Sequence, residues 1–329
     1  MKLIDNSLLV KMIGANTKKH SINPSKCRLN LLIYSHYQRS KRLCFNLTIP
    51  SFSSTMSPPA NPDYTATAQI HEYGSAANPE MPPIPVLVHP PELHEQGPTR
   101  IIPFDLSRHL SPDESEAPST SPTTSPNLLA SFVRIQVGDH IDTTATATSQ
   151  AFYVIRGSGQ STSQEHGTIQ WNTGDLFVLP QTPGAVTHTC ESSESHGAAA
   201  LYWIHDAPLL EYLGVLPSPK AKTFEPTLYK REKLLEKVEE IRHDDTRSNN
   251  RLGVLLGNTR YEHSTKTLTH VLWSLLNSIG PHSIQRPHRH NSVALDLCVS
   301  APPQSEGSVY TLMGREIGTY DMMYRCSLS

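Results

Sequence analysis

Pro287-His288-Arg289-His290 holds the residues of this chain best suited to chemistry. On an extended strand successive side chains point to opposite faces, so His288 and His290 share one. Inside a small β-barrel that shared face is the lumen. Two imidazoles converging there can hold a divalent metal ion. A complete site asks for a further ligand, and residues 291–329 contain no histidine. His270 and His282 are the nearest histidines on the other side.

The elements that would position such a site are short strands. The chain has 329 residues, a formal net charge of −2 and 27 prolines. That length buries one large core or two medium ones, and the proline count favours loops and short strands over long helices. Downstream of residue 56 there is no basic patch of the kind a nucleic-acid partner requires. No apolar run reaches the length of a membrane-spanning helix. The five cysteines, Cys27, Cys44, Cys190, Cys298 and Cys326, are scattered and form no CxxC pair. This argues against a disulfide framework and a structural zinc site, and a reducing compartment follows as the plain expectation.

Residues 1–55 carry nine lysines and arginines against one acid, Asp5. Such a composition suits an organelle transit peptide. It equally suits an upstream extension with Met56 as the working start. Cytoplasmic residence is favoured, with organelle import through residues 1–55 as the other possibility. Residues 56–99 are rich in proline and alanine and read as irregular. The low-complexity stretch 111–126 reads as a loop. From 128 to 206, LLASFVRIQV, AFYVIRG, GTIQW, DLFVLP and AALYWIHD are rich in β-branched and aromatic residues and separated by turn formers. They predict one antiparallel sandwich or barrel. Leu228, Leu234, Leu235, Val238 and Ile241 recur at helical spacing and predict a helix over 228–242. Strands resume after residue 251.

Two frames then resemble one family. Gly138 and Gly157 enclose Thr144-Ala145-Thr146 and Gln150 at the spacing of the first cupin motif, G-x5-H-x-H-x3-E-x6-G. Gly174-Asp175, Pro180 and His188 follow the second motif. Every position that the resemblance makes a ligand in the first motif is neutral here: Thr144, Thr146 and Gln150. Such side chains bind divalent metals poorly. The resemblance therefore implies a jelly-roll module over 100–215, expected to be metal-free and structural; His188 reads as a hydrogen-bonded core residue, with a metal-free small-ligand pocket as the alternative.

The second frame, QRPHRHNSVALDL, is similar to the gentisate 1,2-dioxygenase branch of the two-module cupins. In that branch a P-H-R-H segment is followed by Ala where other cupins carry Glu, as with His290 and Ala294 here. The resemblance implies Fe(II) held by His288 and His290 together with a third histidine on a later strand. A hydroxylated aromatic acid and O2 would take the open iron positions. Asp296 departs from the family, which tends to carry Arg there to pair the substrate carboxylate. The later strand with its Pro-Trp-His neighbourhood has no counterpart before Ser329.

The expected architecture is thus mainly all-β: two cupin modules, 100–215 and 251–329, joined by a helical linker over 222–245, the second barrel incomplete. Two functions stay open. One is a cupin-type non-haem Fe(II) dioxygenase-like protein cleaving the ring of a gentisate-like acid. The other is a non-catalytic bicupin that binds a small molecule or another subunit. An unfinished sheet leaves an unpaired edge, so a homo-oligomer is expected. A third possibility concerns the gene model: the last residues could replace a natural continuation through the third histidine.

Overall fold

The computed structural model describes residues 7–14, 65, 68, 70, 87–110, 121–218, 221, 223–243, 252–261, 265–279, 284, 294–301, 309–313 and 322–326. The chain divides into two units, residues 17–81 and the remainder. Within residues 17–81 the Ala68 N–H closes a turn onto the Thr65 carbonyl at 3.0 Å. All other described elements belong to the second unit.

Its strands are β1 (Ser7–Gly14), β2 (Arg100–Pro103), β3 (Leu129–Gln136), β4 (His140–Thr143), β5 (Ser149–Arg156), β6 (Ser158–Ser163), β7 (Gly167–Asn172) and β8 (Leu176–Pro180). These continue as β9 (Val186–Ser192), β10 (Ala198–His205), β11 (Thr227–Tyr229), β12 (Leu252–Leu256), β13 (Leu272–Ile279), β14 (Ala294–Ser300), β15 (Val309–Met313) and β16 (Met322–Cys326). The helices are α1 (Glu92–Glu95), α2 (Ser107–Leu110), α3 (Ala207–Leu213) and α4 (Arg231–Arg242). The protein is mainly all-β, and the strand pairs are antiparallel.

The first module is a jelly roll. A six-stranded sheet runs β11-β8-β5-β10-β3-β2 and a four-stranded sheet runs β4-β9-β6-β7. From β3 to β10 the chain passes back and forth between these two sheets, the path of a double-sheet jelly roll. No described strand pair joins one sheet to the other, so the module is a two-sheet sandwich. Two of the glycines noted in the sequence make its turns. Gly138 takes φ +86° between β3 and β4, and Gly157 takes φ +89° between β5 and β6. A Cβ on Gly157 would also lie 2.8 Å from the Ala199 side chain, so both conformation and space demand glycine.

The large sheet is apolar on both faces, which is why β10 reads AAALYWIH with all eight residues buried. One face meets the small sheet through Val133, Ile135, Phe152, Phe177, Leu179, Leu201 and Trp203. The other, with Phe132, Tyr153, Val178, Tyr202 and Ile204, packs against Leu234 and Val238 of α4 and against Val254, Leu272, Leu276 and Leu295. The last four belong to a second four-stranded sheet, β12-β13-β1-β14. The β15–β16 hairpin completes the described elements.

The linker helix starts later than its periodicity predicts. Thr227–Tyr229 pairs with β8 as strand β11, and Lys230 is extended (φ −73°, ψ 134°). Asp175 then opens the helix. Its buried carboxylate accepts from the Arg231 N–H at 2.9 Å and from Lys230 Nζ at 2.7 Å. The Gly174-Asp175 pair therefore docks the linker onto the first module, supplying one of the acceptors that a helix start lacks.

Candidate functional site

His188 lies at the centre of the first module with no exposed surface. Strand alternation turns β9 inward at Val186, His188 and Cys190, all buried. Both imidazole nitrogens are committed. Nε2 is 2.8 Å from Thr143 Oγ1, and Nδ1 is 2.7 Å from Ser161 Oγ. Trp171 Nε1–H donates to the same Ser161 oxygen at 2.9 Å. The ring leans against Phe152, with centroids 5.1 Å apart, and Phe152 stacks on Phe177 at 4.7 Å. Burial pushes the His188 pKa down to about 3; the Asp142 carboxylate pulls it back only in part. The imidazole is neutral and serves as a hydrogen-bond hub.

The spacing of the first cupin frame puts Thr144 and Thr146 where ligands would stand. The structure turns both of them to solvent. The inward residue is Thr143, fully buried, with Ala145 packed beside the core. Thr143 is the last residue of β4, and Thr144-Ala145-Thr146 follow in the loop beyond it. Gln150 does face inward. Its Oε1 accepts from Trp203 Nε1–H at 3.2 Å, and its Nε2 donates to Thr182 Oγ1 at 3.4 Å. Thr182 also lines an open cavity of about 160 Å³, together with Thr144, Ala145, Thr146, Pro183 and Gly184.

This donor set does not fit a divalent metal. Thr143, Ser161 and Gln150 are neutral, and His188 has no nitrogen to spare. Among the described residues no group of three or more His, Cys, Asp or Glu side chains is placed to hold a metal ion.

A second buried cluster had no signal in the sequence. Arg134 and Arg156 reach across from the large sheet to α1. Arg134 Nη1 donates to the His94 carbonyl at 3.0 Å and Nε to the Gly97 carbonyl at 2.7 Å. Arg156 donates to the same His94 carbonyl and, at 2.8 Å, to His94 Nδ1. Burial first, and the Arg156 charge second, hold the His94 pKa down at about 3. His205, at the end of β10, accepts the Ala207 N–H through Nδ1 at 3.3 Å, and burial lowers its pKa to about 4.

His288 and His290 lie outside the described residues, as does His282. His270 is exposed, its ring 6.2 Å from that of Tyr261. The strand that follows the Pro-His-Arg-His segment is described. On β14, Leu295 is buried in the core shared with the first module, and Leu297 and Val299 pack on it. Ala294, Asp296 and Cys298 therefore share the opposite face. Gln150 has the matching place at the start of β5, on the face away from that shared core.

No family model matches the sequence, and no characterised protein matches it at the level of sequence. Solved structures with partial likeness include salicylate 1,2-dioxygenase from Pseudaminobacter salicylatoxidans: 22% identity over 39% of this chain and 33% of that one, TM-score 0.27. Another is a salicylate 1,2-dioxygenase from Pseudoaminobacter salicylatoxidans with gentisate adducts: 24% identity over 33% and 29%, TM-score 0.25. The EutQ protein of Clostridium difficile is 15% identical over 26% of this chain and 60% of that one, TM-score 0.21. This chain spans about a third or less of the two dioxygenases' length. Among the described residues no helix is long and apolar enough to cross a membrane.

Proposed function

We propose that this chain is a cupin dioxygenase-like protein in which the two modules divide the labour. The second binds Fe(II) through His288 and His290 and oxidises a hydroxylated aromatic acid with O2. The first is a metal-free scaffold. The observation that carries this reading is the contrast between the two frames. Where the second has two imidazoles at i, i+2, the first has a neutral network closed around His188.

The imidazole pair suits Fe(II), and Ala294 at the position of the usual glutamate leaves metal positions for substrate and O2. Bound iron would supply activation of O2 beside a chelated substrate. The chain's own contribution is the pair of imidazoles, with Asp296 carried on the face of Ala294. The Asp296 carboxylate would repel a substrate carboxylate rather than pair with it, so substrate would have to be held by other groups.

Oxygen uptake tests the function. Full-length chain loaded anaerobically with Fe(II) is expected to consume O2 with gentisate or a related hydroxybenzoate, with a ring-cleavage product appearing in the ultraviolet. His290→Ala is expected to fall to the rate of iron in buffer. No uptake with any hydroxybenzoate by the loaded chain would overturn the enzymatic reading. The non-catalytic, ligand-binding bicupin would then stand in its place.

A further inference from the structure

The four-stranded sheet β12-β13-β1-β14 repeats the plan of four neighbouring strands of the six-stranded sheet, except for the origin of a single strand. In the first module the order β5-β10-β3-β2 places β10 between β5 and β3. In the second, the order β14-β1-β13-β12 places β1 between β14 and β13. The match extends to pairing. β10 is antiparallel to β3 over eight residue pairs, from Ala198↔Gln136 to His205↔Leu129. β1 is antiparallel to β13 over eight, from Ser7↔Ile279 to Gly14↔Leu272. On the other side each has one register shift, β10 between Ala200 and Leu201, and β1 between Leu8 and Leu9. Yet β10 ends the first module in sequence, while β1 comes from the far end of the chain.

We propose that Ser7–Gly14 is a donated strand: it fills, in the second module, the slot that β10 fills in the first. The partner this slot accepts is an extended segment, and its occupant is the chain's own N-terminal residues. The sequence SLLVKMIG, with Leu8, Leu9, Val10, Met12 and Ile13, is rich in the aliphatic residues that suit a strand paired on both edges. The slot matters because β13 and β14 are the two stems of residues 280–293, which include His288 and His290. With β1 between them the stems are tied into one ladder. Without it, both present unpaired backbone edges. The basic stretch 1–55 thus contains a structural strand, and a chain beginning at Met56 would have an open slot. The pairing stands apart from the reading of His288 and His290 as metal ligands. Iron binding can fail while the strand test succeeds, and the reverse.

A disulfide trap tests it in the full-length chain. Leu9 is registered opposite Cys298, and directly opposed residues of an antiparallel pair lie within the span a disulfide bridges. Under mild oxidation, Leu9→Cys is expected to form an intrachain 9–298 bond, mapped by mass spectrometry. Its yield should be about tenfold above that of Lys11→Cys, which is registered opposite Asp296. In a second arm, Leu9→Pro breaks a central ladder. It is expected to speed amide exchange in β13 and β14 and to leave β3 and β5 unchanged. Equal bonding from positions 9 and 11, a bond only between two chains, or unaltered exchange in β13 and β14 would overturn the assignment.

Discussion

Between pH 6.5 and pH 4 the folded chain will lose stability steeply, because it buries three histidines in their neutral form. His188 and His94 are held at about 3 and His205 at about 4, against an ordinary value of 6.5. In the unfolded chain each takes up a proton as the pH falls through 6.5. In the folded chain each resists until the pH nears its own depressed value. The unfolded state then binds more protons, so stability is fully present above pH 6.5 and falls as the pH drops. Each histidine contributes a slope of about 1.4 kcal/mol per pH unit near pH 5, or about 4 kcal/mol per unit for all three. Urea unfolding at pH 7, 6 and 5 measures this directly. His188→Gln should remove about a third of the slope. A stability that stays flat from pH 7 to 5 would show that these imidazoles are not held neutral inside the fold.

The largest effect of a single substitution is expected at His188 itself. Alanine there deletes a fully buried ring, leaves Thr143 Oγ1 and Ser161 Oγ without their shared partner, and opens a void against Phe152. The expected loss is about 3–5 kcal/mol, combining a cavity with two stranded hydroxyls. Two neighbouring threonines test this placement. Thr143→Ala should cost about 1–2 kcal/mol through its lost bond to His188. Thr144→Ala should stay within about 0.5 kcal/mol, as for an exposed residue away from special features. If Thr144 proved the more costly of the two, the placement of Thr143 against His188 would be contradicted.

That pair of threonines also shows how far the sequence could be read. Gly138, Gly157 and His188 were legible because turns and buried polar residues leave local marks: a turn-forming glycine, a histidine among apolar neighbours. The strands from 128 to 206 were legible from β-branched and aromatic runs. The contact of Thr143 with His188 was not, because it joins residues 45 apart in sequence and leaves composition unchanged. The helix start moved from 228 to Arg231 for a related reason: the pairing of β11 with β8 lies far away in sequence and overrides local periodicity. The arginine clasp on His94 rests on contacts 40 and 62 residues apart. The place of β1 rests on a separation larger still. Charge counting over residues 1–55 averaged away the apolar run of Leu8, Leu9 and Val10 inside them. For the candidate metal site, the sequence supplies the identity of His288 and His290, and the structure supplies the face of β14 that follows them.

The central claim is that one module of this chain is built for metal and the other is not. Iron analysis across three proteins tests it most directly: the full-length chain, His288→Ala and Thr143→Ala, each exposed anaerobically to Fe(II) and desalted. The account predicts that the parent chain and Thr143→Ala retain iron in equal amounts, and that His288→Ala retains none. A parent chain free of iron, or His288→Ala with its iron intact, would contradict it.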